Sequence, residues 1–372
     1  MTGEINVETT MDNSKQFFLE AMQDLVLGSE LNNTYKMALL LAIADCALAL
    51  PIGRLDISYL QLAESFLRLY WPHTQPFVAD RRDLASPLKG YLKQGVNHGP
   101  LKILTLITKF KQENGGAALS FEAARKRPAF LVLVRQCARD VVRKNPLTYL
   151  KNADFLYSLD DQCKCIVLTP TAAENLRIFH PLVTELAQMR WEAHVRQLAG
   201  NAELLGESRV ATLRNYLFYP GRNENLRQIR QTLKTVTSTK HCFYCGARLQ
   251  SDADVDHFLP YARFRPLRVH NFVLACSHCN RSKGDSLAAS EYLSRWLERN
   301  RRYGDALQIQ AEVAGISADR GFVERIAKTL YKRALMAGES FWLRAGTVKN
   351  QPQLVRYLST AQCRGILELF DG

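Results

Sequence analysis

The chain is 372 residues long, 47% hydrophobic and 23% charged, which suits a soluble globular protein of two or three domains. No run of 18 apolar residues exists, since the longest, MALLLAIADCALAL, is broken by Asp45, and MTGEINVETTMDNSK offers neither a basic nor an apolar signal region; this argues against membrane insertion and secretion and for a cytoplasmic location. The formal net charge of +13 is unevenly placed: residues 221–350 hold 22 Lys and Arg against 12 Asp and Glu, a net +10, which implies a polyanionic partner.

Residues 1–145 read as a helical domain that binds DNA or a partner, regulates, or only supports the rest of the chain. Asn13 is placed to cap a helix through FFLEAMQDLVLGS. TYKMALLLAIADCALAL is a strongly apolar helix ended by Pro51 and Gly53. Asp56 or Ser58 caps a third helix, ISYLQLAESFLRLYW, whose Leu, Phe and Tyr positions recur at helical spacing. Pro72, Pro76 and ADRRD mark a loop. Further helices are predicted over LKGYLKQG, LKILTLITKFKQE and PAFLVLVRQCARDVVRK, the last ended by Pro146.

Residues 146–220 form a small middle region, α+β or helical. ADFLYSLDDQCKCIVLTP reads as two short strands joined at Asp160-Asp161, with Cys163 and Cys165 as pleat residues of the second strand, not ligands. TAAENLRIFHPLVTELAQMRWEAHVRQLAG gives one or two helices, interrupted by Pro181, with Trp191 as a core anchor. YPGR at 219–222 is a turn. The helix after it presents Arg227, Arg230 and Lys234 to one side, facing a nucleic-acid backbone or solvent. Beyond residue 285, Leu287–Arg302 is an amphipathic helix with Leu293, Trp296 and Leu297 on one face and Arg295, Arg299 and Arg302 elsewhere. FVERIAKTLYKRALMAG and PQLVRYLSTAQCRGILELF close the chain as helices, in a C-terminal region 306–372.

The chemistry concentrates in residues 241–285, HCFYCGARLQSDADVDHFLPYARFRPLRVHNFVLACSHCNRSKGD. Two CxxC pairs, Cys242/Cys245 and Cys276/Cys279, can each bite one ion from a tight turn, and together they complete a tetrahedron. Four thiolates leave no open position, so the ion they predict is a structural zinc. Gly246 supplies the backbone freedom a turn needs after the first pair. A redox dithiol normally stands alone at a helix start, unlike these two pairs. The remaining cysteines, Cys46, Cys137, Cys163, Cys165 and Cys363, read as buried or free thiols of a reducing compartment. His270 and His278 read as loop and turn residues, His241 as exposed, and Asp252 and Asp254 as turn residues.

From DVDHFLP through NFVLACSHCNRSKGD the sequence resembles the HNH nuclease family, in the branch whose four cysteines clamp the base of a ββα-metal hairpin. The likeness rests on Asp256-His257, Pro260 soon after, Asn271 before the apolar run, and Asn280-x-x-Lys283 after the last cysteine. The family often has Gly-Gly between the Asp-His pair and the middle Asn; this chain has Arg-Phe-Arg-Pro-Leu-Arg at 263–268. NTYKMALLLAIAD looks like the helical front end of some bacterial HNH proteins. The resemblance implies a mainly α protein with a small α+β nuclease module within 221–305, the Leu287–Arg302 helix beginning as its α element.

Phosphodiester hydrolysis needs a deprotonated water and charge relief on the phosphorane and the leaving 3′ oxygen. A neutral imidazole takes the water's proton, and His257 is the candidate. Asp256 and Asn280 offer the hard oxygens that hold Mg²⁺ or Mn²⁺, and the resemblance assigns them that role. It makes Asn271 the residue that bridges the hairpin loop and orients the base. Neighbours on a strand face opposite sides, so Asp256 and His257 serve one phosphate only near a strand end or bulge, consistent with Pro260. Arg281 and Lys283 open the helix after the last cysteine and are expected to touch phosphate. The resulting expectation is a metal-dependent endonuclease acting on duplex DNA. The resemblance adds a role in defence against foreign DNA. Two alternatives stand beside it: a zinc-ribbon nucleic-acid-binding protein without catalysis, and an effector switched on by a protein partner through its N-terminal half.

Overall fold

The computed structural model describes residues 7–28, 30–51, 53–78, 89–97, 99–149, 153–206, 210–219, 222–249, 253–344, 355–358 and 365–370. The chain divides into two compact units, Met1–Pro220 and Gly221–Gly372. Both are mainly helical with small antiparallel sheets. Among the described residues no helix is long and apolar enough to cross a membrane.

The first unit is built around the apolar run. After α1 (Val7–Leu27), the run becomes α2 (Tyr35–Ala49), in which 12 of 15 residues are buried. A helix apolar on every side belongs at the centre of a bundle. Asn13 lies inside α1 and does not cap it, because the helix starts at Val7. β1 (Asp56–Ser58) leads into α3 (Tyr59–Tyr70), and Ser58 is the cap. Its hydroxyl accepts from the Gln61 amide at 3.2 Å, while the Gln61 side chain accepts from the Ser58 amide at 2.9 Å. Asp56 instead pairs with Arg54.

β2 (Phe77–Val78) pairs with β3 (Lys89–Gly90), so a strand stands within LKGYLKQG, in place of the expected helix. Eight residues with two glycines are too few to sustain a helix without tertiary help. Then come α4 (Lys102–Asn114), α5 (Phe121–Arg125), α6 (Ala129–Cys137) continuing as a π turn to Arg143, and α7 (Pro146–Tyr149). β4 (Tyr157–Asp160) and β5 (Cys165–Leu168) form the predicted hairpin. Cys165 is buried in it, but Cys163 sits exposed in its turn. α8 (Pro170–Gln197) kinks at Phe179, two residues before Pro181. α9 (Ala202–Leu205) and α10 (Val210–Phe218) complete the unit.

Segments 1–145 and 146–220 share one sheet and one core. β1 pairs with β5, giving the order β1-β5-β4, and α2 packs on both α3 and α8. Trp191 is fully buried, its ring 5.0 Å from Tyr70. Cys46 and Cys137 are buried as well, whereas Cys363 lies outside the described residues.

The second unit contains α11 (Arg222–Thr237), the hairpin β6 (Asp254–His257) with β7 (Phe272–Ala275), α12 (Ser277–Lys283), α13 (Ser290–Val313), α14 (Arg320–Met336), and a second hairpin of β8 (Phe341–Arg344) with β9 (Val355–Leu358). β9 replaces the helix expected over PQLVRYLST. Its Val-Arg-Tyr-Leu alternation fits a strand once β8 offers an edge.

The α element that comes after the β6–β7 hairpin is the short α12, not the start of Leu287–Arg302. Gly284, at φ +48°, ends it, and α13 begins afresh at Ser290. α13 is the platform for the hairpin. Leu293, Trp296 and Leu297 are buried as expected, and Trp296 stacks on Phe258 at 4.7 Å. The indole of Trp296 donates to the His270 carbonyl. Arg299 also turns inward, donating to the carbonyls of Phe272 and His270 at 2.9 and 2.7 Å.

Candidate functional site

The four cysteines of the predicted cluster come together at the base of the β6–β7 hairpin. Cys242 and Cys245 sit in a knuckle closed by a hydrogen bond that the Gly246 amide donates to the Cys242 carbonyl at 2.9 Å, with Gly246 at φ +72°. Cys276 and Cys279 lie where β7 runs into α12. All four sulfurs fall within 4.8 Å of one another, and those of Cys245 and Cys276 are 3.9 Å apart. A tetrahedron with zinc–sulfur bonds of about 2.3 Å has edges of about 3.8 Å, so the set fits zinc.

The surroundings favour thiolates. The amides of Cys276 and Ala247 point at the sulfurs of Cys242 and Cys245, at 3.3 and 3.5 Å. Arg344 on β8 donates to the Cys279 sulfur at 3.1 Å. A hydrogen bond with Cys279, helped by backbone amides, pulls the Cys242 thiol down to about 4, while the same contact pushes Cys279 up. Four thiols this close cannot all ionise without a cation among them.

The hairpin above the cluster has a regular register: Asp254 opposite Ala275, Asp256 opposite Val273, His257 opposite Phe272. No bulge intervenes, so Asp254 and Asp256 share one face and His257 takes the other. His257 is nevertheless the last residue of β6, and its ring lies 4.4 Å from Phe272 and 5.4 Å from Tyr261.

α12 lays one face along the two carboxylates. Asn280 and Lys283, three positions apart, meet Asp254 and Asp256, two positions apart. The Asn280 Nδ2 donates to Asp254 Oδ2 at 3.0 Å, and Lys283 Nζ stands 3.3 Å from Asp256 Oδ2. That hydrogen bond engages the Asn280 side-chain nitrogen and not its side-chain oxygen. Asp254 is therefore a strand residue beside the site and not a turn residue; Asp252 lies outside the described residues.

Lys283 needs the larger correction. Its side chain is fully buried, and Nζ also donates to the His257 carbonyl at 2.9 Å, so it cannot reach a phosphate. Both Arg281 and Lys283 sit in the last turn of α12, not the first, and Arg281 stays exposed. Burial pushes the Asp256 carboxyl up and Lys283 pulls against it; burial likewise pushes the Lys283 ammonium down and the carboxylate pulls it back. The Tyr244 hydroxyl donates to the same Asp256 Oδ2 at 2.5 Å. Asp256 is thus a buried, oriented carboxylate with a cation already beside it.

Asn271 is fully buried and clamps the loop after the Asp-His pair. Its amide accepts from the Leu259 N–H at 2.8 Å and donates to the Leu259 carbonyl at 3.0 Å, while its own carbonyl accepts from Phe258 at 2.7 Å. The Arg-rich segment 263–268 takes the loop onto α14. Phe264 is buried against Phe322, Arg268 lies over the same ring, and Arg263 pairs with Glu339 at 2.7 Å.

His270 lies in a short turn, Val269–Asn271, in the connection between β6 and β7, but it is fully buried and bonded to the Gly304 carbonyl at 3.0 Å, and burial pushes it down to about 4. His278 is exposed on α12, and His241 is exposed. On α11, Arg227 is exposed and Arg230 and Lys234 are half-buried. A cleft lined by Arg301, Arg320, Glu324, Arg325 and Lys328 adds cations on α13 and α14 that no motif marks.

Tyr244, Asp254 and Arg344 are the further residues that the sequence leaves unmarked as parts of a site. Only Tyr244 carries a local signal, its place inside the first CxxC.

Residues 242–286 match the family model of the HNH endonuclease. No match was found among curated proteins or solved structures. The second unit thus carries an HNH endonuclease domain with a four-cysteine cluster suited to zinc, in the C-terminal half of a chain whose first unit is helical.

Proposed function

We propose that the protein is a cytoplasmic, metal-dependent endonuclease that hydrolyses phosphodiester bonds of duplex DNA. The observation that carries this reading is the meeting of α12 with β6: Asn280 and the Asp254–Asp256 face stand together, with His257 closing the strand. A divalent ion such as Mg²⁺ or Mn²⁺, when bound, supplies positive charge to the phosphorane and to the leaving 3′ oxygen. Asp256 and the carbonyl oxygen of Asn280 are the groups of this chain that would hold it, and hard oxygen donors suit such ions.

His257 accepts the proton of the attacking water. Asn271 fixes the loop after His257 by its paired bonds to Leu259, and so sets where the imidazole lies. The four cysteines fix the base of the same hairpin and take no part in the reaction. Exposed cations of the unit, Arg281 and Arg227 among them, contact backbone phosphates, which makes affinity fall steeply as salt rises. The role in defence against foreign DNA rests on the family resemblance alone.

The test is incubation of supercoiled plasmid with Mg²⁺ or Mn²⁺, wild type beside His257→Ala. The variant is expected to lose about 10²–10⁴-fold in cleavage rate while keeping zinc, fold and DNA affinity. Cleavage by His257→Ala at the wild-type rate, in a preparation free of contaminating nuclease, would remove His257 from the role.

A further inference from the structure

We propose that Tyr244, the residue between Phe243 and Cys245 in the first knuckle, is a positioning residue for the nuclease centre: its hydroxyl fixes the Asp256 carboxylate, so that the state of the zinc cluster is transmitted to the ligand of the catalytic ion. The inference rests on the proposed role of Asp256 as that ligand.

The backbone around Tyr244 is held on both sides. The Cys242 amide donates to the Ala247 carbonyl at 2.8 Å, and the Phe243 amide to the Leu274 carbonyl at 2.9 Å. Arg295 of α13 donates to the Tyr244 carbonyl at 3.2 Å. Cys242 and Cys245 flank the residue, so an ion held by the cluster would fix its position further.

The ring is fixed too. It is buried, with Tyr292 and Trp342 edge-on at 5.3 and 5.1 Å and Phe243 at 5.1 Å. Such a cage asks only for an aromatic ring, and phenylalanine would fill it. A buried phenol hydroxyl is unfavourable unless it has a partner. Here the partner is Asp256 Oδ2 at 2.5 Å, twelve residues away on β6.

Lys283 approaches the same oxygen at 3.3 Å and is itself tied to the His257 carbonyl. A rigid phenol and a buried ammonium gripping one oxygen hold the carboxylate in one orientation. A pre-oriented carboxylate binds an ion more tightly than one that must first be ordered. The lysine alone does not define that orientation, because an ammonium is a non-directional point charge, and this one divides its donors between the carboxylate and the His257 carbonyl. The hydroxyl supplies the direction.

The test uses the full chain and reads ion binding directly, with no DNA present. Mn²⁺ binding is followed by the loss of the free-ion electron paramagnetic resonance signal, for wild type, Tyr244→Phe and Asp256→Ala. Zinc content by elemental analysis accompanies each. Tyr244→Phe is expected to keep its zinc and raise the Mn²⁺ dissociation constant by about tenfold or more. Its plasmid cleavage should recover as Mg²⁺ is raised. Asp256→Ala is expected to remove the site.

If Asp256→Ala removes Mn²⁺ binding while Tyr244→Phe binds at the wild-type constant, Tyr244 is only a core aromatic and the inference fails with the ligand assignment intact. If Asp256→Ala also binds Mn²⁺ as wild type does, the ligand assignment itself fails. Should Tyr244→Phe lose zinc, 4-fluorophenylalanine at 244, which fills the hydroxyl's volume without donating, carries the same comparison with the same outcomes.

Discussion

The cysteine cluster and the carboxylate face of β6 lie in one segment of fewer than fifty residues and treat charge in opposite ways. The cluster gathers four sulfurs within 4.8 Å and, among the described residues, has Arg344 as the cationic side chain bonded to it, so it is complete only with an ion from outside. Asp256 is buried, as Cys242 and Cys279 are, but brings its cation from the same chain, Lys283 at 3.3 Å. The first arrangement ties folding to metal. The second allows a buried carboxylate to be in place before any metal arrives. A third device in the same unit excludes charge altogether: His270, fully buried, is kept neutral.

The largest expected effect is at the cluster. Cys276→Ser removes one of four ligands, and the binding energy of a structural zinc site is folding energy. Wild-type protein should carry about one zinc per chain, and the variant should lose it together with several kcal/mol of stability in urea unfolding. Freshly purified, folded wild type without zinc would break the contrast at its first term.

The cluster is legible in the sequence because ligand number and spacing are local properties of two turns. The same holds for Gly246, and for a cap at Asp56 or Ser58, though the structure alone picks Ser58 and pairs it with Gln61. Lys283 is misread from sequence because its environment depends on which face of α12 meets β6, and nothing within Asn-Arg-Ser-Lys says so. Asp254 is misread for the same reason: its partner, Asn280, is 26 residues away. β9 and β3 read as helices because a short strand forms only when another strand offers its edge. His270 looks like a loop residue since the chain around it has no period; α13 arrives from 34 residues on to bury it.

The second effect tests the internal cation. Lys283→Met leaves Asp256 buried without its ammonium, which typically destabilises by about 3–5 kcal/mol. The triple variant Lys283→Met/Asp256→Leu/Tyr244→Phe should recover most of that loss, because neither an unpaired charge nor an unpartnered hydroxyl remains. Urea unfolding with zinc held constant reads both. A single variant as stable as wild type would mean that the carboxylate tolerates burial unaided, and the proposed contrast between the two sites would go.

The third concerns the excluded charge. His270 falls from an ordinary 6.5 to about 4 because burial disfavours the imidazolium. A pKa depressed by folding contributes stability that is fully present above the unfolded value and is lost as pH falls through the folded one. The second unit should therefore lose up to about 3 kcal/mol between pH 6.5 and pH 4 from this residue. His73 in the first unit, buried and also pushed down to about 4, predicts the same sign there. Unfolding followed at pH 7 and pH 4.5 checks it. A His270→Gln variant whose second unit is as acid-sensitive as wild type would assign the loss to other groups.

The smallest effect is at Asp254. Its Oδ2 accepts a hydrogen bond from the Asn280 side-chain nitrogen at 3.0 Å and thereby favours the rotamer in which the side-chain oxygen, the proposed ion ligand, is not engaged by that bond. Asp254 is only half-buried, so water can replace part of what its side chain does. Asp254→Ala should leave zinc, fold and the maximal cleavage rate near wild type and raise the Mg²⁺ needed for half-maximal cleavage by about tenfold or less. Asp254→Asn keeps an acceptor on the same strand face and should fall between the two. Because Asp254 lies on the β6 face shared with Asp256 and Asn280 lies on α12, the shift separates two ways of holding an oxygen donor. If Asp254→Ala needs no more Mg²⁺ than wild type, Asn280 is oriented by α12 alone, and the carboxylate face of β6 reduces to Asp256 with its lysine and tyrosine.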